Sequence, residues 1–222
     1  MKILAISDAH GDYSKVGQIL KLKQTSDIDL ILIAGDITDF GPDEEAEKLL
    51  NMFEKPIMAI PGNCDLRTIL KVLDNSKATS LHNTFKRIDD ITFIGLGGSN
   101  PTPFNTPFEL QEDEIESGLE RLVKEAENDP NNNTIVLLTH APPYGTVDEI
   151  PIGHVGSTAI EKFVGRVDLI VCGHIHEARG VIKVGKTVIV NPGMVCESNG
   201  AIITITGENN GNIQINAELI YV

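Results

Sequence analysis

Leu30-Ile31-Leu32-Ile33-Ala34-Gly35-Asp36 is an unbroken apolar run that stops at a glycine followed by a carboxylate. The same order returns at Ile57-Met58-Ala59-Ile60-Pro61-Gly62-Asn63 and at Leu169-Ile170-Val171-Cys172-Gly173-His174. Short apolar runs bounded by turn formers have the length of buried strands rather than helices. Two further runs lack the glycine: residues 3–6 lead to Asp8 and His10, and residues 135–139 lead to His140. Between the early runs lie stripes at helical spacing: Val16, Ile19, Leu20 and Lys23; Ala46, Leu49, Leu50 and Phe53; Leu66, Ile69, Leu70 and Leu73. Strand and helix in alternation specify an α/β layer structure with a largely parallel sheet.

Outward from that core the pattern changes. Residues 92–96 read as another strand, followed by a loop rich in Gly, Pro and Asn at 97–107. Residues 109–129 carry nine acidic side chains, with Ile115, Leu119, Leu122 and Ala126 on one helical face. We read the charges as the solvated side of an amphipathic helix rather than a partner-binding patch. Ser157 is placed to cap a helix between the strands 135–139 and 169–172. Residues 181–184 and 187–190 flank Gly185-Lys186, a Gly-first hairpin turn. Residues 201–206 and 213–220 flank an Asn/Gly loop, and Ile213, Ile215, Ala217 and Leu219 alternate with polar neighbours. The expectation is a single domain over 1–222, with two sheets packed face to face and helices outside.

Composition narrows the function. No run approaches the ~18 uncharged apolar residues of a membrane span. The N-terminal apolar stretch is shorter than the ~7–15 residues of a signal-peptide core, so the expected location is cytoplasmic. Cys64, Cys172 and Cys196 are an odd set, which argues against a disulfide framework. A net charge of −14 with no Lys/Arg cluster argues against binding long nucleic acid. An anionic substrate fits an acidic protein only where bound divalent cations reverse the local sign.

The ends of the apolar runs carry the chemistry. Asp8 and His10, Asp36, Asn63, His140, and His174 with His176 each follow a strand. At the carboxyl edge of a parallel sheet such residues converge on one crevice, and glycine before three of the groups permits a sharp turn off the strand. Imidazole, carboxylate and amide oxygen suit Mn²⁺, Fe²⁺, Co²⁺, Ni²⁺ or Zn²⁺, with Mn²⁺ favoured. An Asp can bridge two such ions, which together clamp the attacking and leaving oxygens of a phosphoryl displacement. Taken singly, each residue reads as a turn former or cap; Asp65 fits the N-cap of the helix bearing Leu66 and Ile69. The joint pattern is more specific, since four of the six histidines fall at strand ends.

As a set, Asp8-Ala9-His10, Gly35-Asp36, Gly62-Asn63-Cys64-Asp65, His140 and Gly173-His174-Ile175-His176 resemble the signature of the calcineurin-like metallophosphoesterases. The resemblance spans residues 8–176 and implies a four-layer αββα sandwich with a dinuclear centre. It implies one ion on Asp8, His10, Asp36 and His176, and a second on Asp36, Asn63, His140 and His174. Asp36 bridges, and a bridging hydroxide is the nucleophile. Asp36, Asn63, Asp65 and His140 are the implied catalytic group. One departure stands out: Cys64 replaces the histidine that many members use to protonate the leaving group. In the small prokaryotic branch most similar to this chain, cysteine here accompanies activity on phosphodiesters. The expected activity is therefore a phosphodiesterase acting on a small phosphate ester. A non-catalytic metal-binding scaffold on the same fold is the alternative, and a homo-oligomer is left open.

Three residues are candidates for substrate contact. They are Cys64 itself, Arg67, whose guanidinium suits phosphate, and His154, which faces substrate or stands in for the missing acid. Asn191-Pro192-Gly193 is expected to shape the rim, and His82 to be a surface residue.

Overall fold

The computed structural model describes residues 1–207 and 213–222. In chain order the elements are β1 (Lys2–Ile6), α1 (Val16–Ile19), β2 (Leu30–Ala34), α2 (Glu45–Asn51), β3 (Ile57–Ile60), α3 (Ile69–Asn75), β4 (Thr79–Ser80), β5 (Thr84–Ile88) and β6 (Ile91–Leu96). There follow α4 (Glu112–Glu127), β7 (Thr134–Thr139), β8 (Glu149–Ile150), β9 (Gly153–His154), α5 (Thr158–Glu161) and β10 (Leu169–Val171). The chain ends with β11 (Gly180–Val184), β12 (Thr187–Asn191), β13 (Asn199–Gly207) and β14 (Ile213–Tyr221). One sheet has the order β14-β13-β1-β2-β3-β4 and the other β11-β12-β10-β7-β6-β5. Each is parallel in the middle, with antiparallel strands β13 and β14 at one end of the first, and β5 and β11 at opposite edges of the second.

Alternate residues of each strand serve different layers. Ile3, Ala5, Leu30, Leu32, Met58 and Ile60 face Phe93, Val136, Leu138, Leu169 and Val171 between the sheets. Leu4, Ile6, Ile31 and Ile33 face outward onto Val16, Ile19, Leu49, Leu50, Phe53, Ile69 and Leu73. On the other side Ile94, Leu137 and Ile170 pack against Ile115, Leu119, Leu122 and Phe163. This is the four-layer αββα sandwich. Both faces of every central strand are covered, so the strands read as continuous apolar runs rather than alternating ones. Ile213, Ile215, Ala217 and Leu219 lie toward the space between the sheets, as their alternation predicted.

Some expectations shift. The first helical stripe shortens to α1 plus a 3₁₀ turn at Lys23–Thr25. There the Thr25 hydroxyl donates to the Leu22 and Ile19 carbonyls at 2.7 and 3.1 Å, an alternative to continued helix. The third helix begins at Ile69 rather than at Leu66. Ser157 caps α5 as expected, accepting from Ile160 N at 3.1 Å. Gly185 has φ +59°, which suits the Gly-first turn between β11 and β12. The Asn/Gly stretch 208–212 lies outside the described residues.

Candidate metal centre

The candidate ligands collect where the two sheets meet, not along one sheet edge as the sequence suggested. β1, β2 and β3 of the first sheet deliver Asp8, His10, Asp36 and Asn63; β7 and β10 of the second deliver His140, His174 and His176. A bond across the seam locks them, because His140 Nδ1 lies 2.7 Å from the Ala34 carbonyl oxygen at the end of β2. Gly173 N donates to the His140 carbonyl at 2.9 Å, and His174 N to both Asp8 carboxylate oxygens at 3.2 Å.

Asp8, His10, Asp36 and His174 have φ of +56°, +47°, +48° and +69°, the left-handed region that side chains seldom enter. Such backbone strain persists where surrounding structure over-determines it, most often at functional sites. The glycines have a different role from the one their turns suggested. Only Gly35 of the three has positive φ, at +93°. Gly62 and Gly173 are required by crowding: a Cβ on Gly62 would lie 2.1 Å from Asp36 Oδ1, and one on Gly173 1.9 Å from Ser7 Oγ.

Asp36 sits at the middle. Its Oδ1 accepts from Cys64 N at 2.8 Å, while its Oδ2 lies 3.6 Å from His10 Nε2 and 3.4 Å from His140 Nε2. Asp8 Oδ1 is 3.4 Å from His176 Nε2, which in turn is 3.4 Å from His10 Nε2. His140 Nε2 is 2.8 Å from Asn63 Oδ1, and the His174 ring stands 5.0 Å from the His140 ring. All seven candidates are thus brought together.

This donor set fits divalent cations. Asp8 and Asp36 are buried, yet among the described residues no Lys or Arg pairs with either. Two buried carboxylates with only imidazoles for company are costly without a cation. The Nε2 atoms of His10, His140 and His176 face one another or the carboxylates. His140 shows this most clearly: its Nδ1–H is committed to a carbonyl, so Nε2 meets the Asn63 carbonyl oxygen acceptor to acceptor. Only a positive charge, proton or metal, reconciles that pair.

In the ion-free protein a proton takes that place. Burial works against a charged His140, but Asp36, Asp8 and the Ala34 carbonyl together raise its pKa to about 9. Burial, with the His140 charge, lowers His174 to about 4. Burial and the Asp36 charge push the Cys64 thiol far upward, so it stays neutral. The linkage has a definite sign. A His pKa raised above its unfolded value of about 6.5 stabilises fully below that pH, and the gain disappears as pH rises through the folded value. Ion-free protein is expected to lose on the order of 3 kcal/mol between pH 6.5 and 9 from His140. Melting in excess chelator checks this, and Mn²⁺ is expected to stabilise more at pH 9 than at 6.5. A chelated protein that melts higher at pH 9 would contradict it.

Thr106, which sequence reasoning missed, orients Asn63. Its hydroxyl donates to Glu109 Oε1 at 2.7 Å, so its oxygen accepts from Asn63 Nδ2 at 3.1 Å. That fixes the Asn63 amide with Oδ1 toward the centre. Thr106→Val is expected to weaken Mn²⁺ binding at one site by about 10–100-fold, and Thr106→Ser to restore it. Calorimetric titration reads this; unchanged binding in the Val variant would remove the role.

Other residues are placed differently from expectation. Asp65 does not cap α3. Its carboxylate is buried and accepts from Ile37 N, Thr38 N, Thr38 Oγ1 and Gly62 N at 2.7–3.1 Å. Both oxygens are engaged in these bonds, which tie the β2 and β3 loops together; burial and the Asp36 charge raise the Asp65 pKa to about 6. Arg67 lies over the Phe108 ring at 4.2 Å and donates to the Glu109 carbonyl at 2.9 Å. His82 is half-buried, not a surface residue, and accepts from Gly97 N at 3.0 Å. Asn191 is buried and staples the Gly173–Ile175 turn through Ile175 O at 2.8 Å. His154 sits on β9, bonded to Asp148, a partner the sequence did not reveal.

The sequence profile of the calcineurin-like phosphoesterases matches residues 1–178. The chain belongs to the calcineurin-like phosphoesterase family. It is 39% identical over 202 residues to Uncharacterized protein MJ1162 of Methanocaldococcus jannaschii, covering 86% of this chain and 88% of that one. Among solved structures, TT1561 of Thermus thermophilus superposes with TM-score 0.71 at 17% identity over 97% of both chains. A novel archaeal phosphodiesterase superposes with TM-score 0.51 at 16% identity, covering 98% of this chain and 100% of that one. These likenesses show the shared fold. As a calcineurin-like phosphoesterase the chain is a metal-dependent phosphoric ester hydrolase, and the Asp/His cluster is where divalent ions can bind. No helix among the described residues is long and apolar enough to cross a membrane.

Proposed function

We propose that this calcineurin-like phosphoesterase is a dinuclear phosphodiesterase acting on a small ester in the cytoplasm, with Mn²⁺ the favoured ion. The observation that carries the two-ion reading is Asp36 Oδ2, which faces His10 from one side of the crevice and His140 from the other. Asp8, His10, Asp36 and His176 would hold one ion; Asp36, Asn63, His140 and His174 the other. Bound there, the ions supply Lewis acidity toward water and neutralise phosphate charge. The protein's own part is to hold the donors in orientation, through the Ala34 carbonyl at His140, the Thr106 hydroxyl at Asn63 and the Cys64 amide at Asp36.

The diester preference rests on Cys64. The thiol is held neutral beside a buried carboxylate and is a poor proton donor, and in the small prokaryotic branch that this sequence resembles cysteine at this position accompanies activity on phosphodiesters. The archaeal phosphodiesterase that shares this fold agrees with this reading. With Mn²⁺, bis(p-nitrophenyl) phosphate is expected to turn over faster than p-nitrophenyl phosphate. The reverse order would sink the diester preference while leaving the ester hydrolase intact. A non-catalytic scaffold is the second reading, disfavoured because all seven ligand positions carry metal-binding side chains.

A further inference from the structure

If Cys64 cannot protonate a leaving group, the fold must either do without an acid or supply one elsewhere. Four of the six histidines stand in the metal cluster. A fifth, His82, spends Nδ1 on Gly97 N and packs on Phe108, with ring centroids 5.1 Å apart. His154 remains. It sits on β9 of the small antiparallel ribbon whose other strand, β8, lies against the turn His176–Ala178. The loop that carries it starts at His140, and its next residue is tied to the β6 loop, Asn100 Nδ2 donating to Val155 O at 3.3 Å. Both ends of the ribbon are thus anchored to strand-end loops that border the metal cluster.

The support beneath this histidine is built for orientation. His154 Nδ1 lies 2.7 Å from Asp148 Oδ1. Asp148 is fully buried and also accepts from Gly145 N, Thr146 N and Gly156 N at 3.1, 2.8 and 2.8 Å. Three backbone donors already satisfy the carboxylate, so the fourth bond is not needed to bury it. What that bond does is fix the ring: Nδ1–H points at Asp148, and Nε2 is the nitrogen left to exchange a proton. Tyr144 sets its ring edge-on at 5.6 Å, and the His154 side chain stays 36% exposed. An imidazole held at one nitrogen by a buried carboxylate, on a ring that stays partly exposed, is a general arrangement for proton transfer.

We propose that His154, oriented by Asp148, is the general acid of the hydrolysis; this rests on the phosphoesterase reading above. As a water oxygen bonds to phosphorus, the bond from phosphorus to the leaving oxygen breaks, and its electron pair stays with that oxygen. The Nε2 proton of the imidazolium moves to the oxygen and the alcohol departs. The neutral ring then regains a proton from solvent, and the proton lost by the attacking water goes to solvent. Asp148 is a positioning residue.

Aryl methyl phosphate diesters that differ only in the phenol, p-nitrophenol against unsubstituted phenol, test this in the full chain with Mn²⁺. His154→Asn keeps an amide N–H for Asp148 and removes the transferable proton. It is expected to slow the phenyl ester about 30–100-fold more than it slows the p-nitrophenyl ester. Asp148→Asn is expected to shift the two rates in the same unequal way, less steeply. Mn²⁺ binding measured by calorimetry is expected to match wild type in His154→Asn, which separates an acid from a ligand. Equal losses on both esters, no loss on either, or weakened Mn²⁺ binding would overturn the assignment. A wild-type protein inert even on the p-nitrophenyl ester would instead remove the phosphodiesterase reading on which it rests.

Discussion

Asp36→Asn is expected to lower turnover of bis(p-nitrophenyl) phosphate by at least about 10³-fold and to leave at most one Mn²⁺ per chain. The substitution is close to isosteric. Its remaining carbonyl oxygen can still accept from Cys64 N, as Oδ1 does at 2.8 Å. What disappears is the second anionic oxygen, the one that lies 3.4 and 3.6 Å from imidazoles on the two sides of the crevice. An amide nitrogen there is a donor pointed at a cation, so the site loses a ligand and gains a repulsion. Metal analysis after gel filtration, paired with a melting curve in chelator, separates this from misfolding. Wild-type activity with two ions still bound would show that Asp36 does not bridge.

Gly62→Ala is expected to destabilise the protein by about 3 kcal/mol and to abolish Mn²⁺ binding. The opposing term is known: away from positive φ, replacing Gly by Ala restricts the unfolded chain and stabilises by roughly 0.4–1 kcal/mol. Gly62 is not among the positive-φ glycines, so that gain applies here. It is overwhelmed because the new methyl would stand 2.1 Å from Asp36 Oδ1 and 2.2 Å from Asp36 N. One of these is backbone, and neither can retreat without moving the central carboxylate. Gly118→Ala, within α4, is the control. Its Cβ would find nothing nearer than 3.7 Å, so a gain of about 0.5–1 kcal/mol is expected from helix propensity alone. Denaturant melts of both variants check the pair, and a Gly62→Ala protein as stable as wild type would refute the crowding argument.

These variants show what kind of information the sequence holds. The runs that became β1, β2, β3, β7 and β10 were legible because a strand buried on both faces needs continuous apolar residues. The ligand that follows each strand is a local event. Their division between two sheets was not legible, since one apolar run does not say which neighbour it pairs with. β5 escaped notice for a related reason: as an edge strand it exposes Thr84, Phe85, Lys86 and Arg87 and has no buried run to announce it. Asp65 resembled a helix cap because capping is local, whereas its true donors, Ile37 and Thr38, come from a loop 27–28 residues away. Thr106 and Asp148 carried no signal at all, because each acquires its role only when distant loops fold beside Asn63 and His154.

The claim beneath all of this is that Asp36 joins two cations. Anomalous diffraction from a crystal soaked in Mn²⁺, collected either side of the manganese edge, measures it directly. The expected map has two peaks ~3.5–4 Å apart, one beside Asp8, His10 and His176, the other beside Asn63, His140 and His174, with the Asp36 carboxylate between them. A single peak, or two that do not share Asp36, would contradict it.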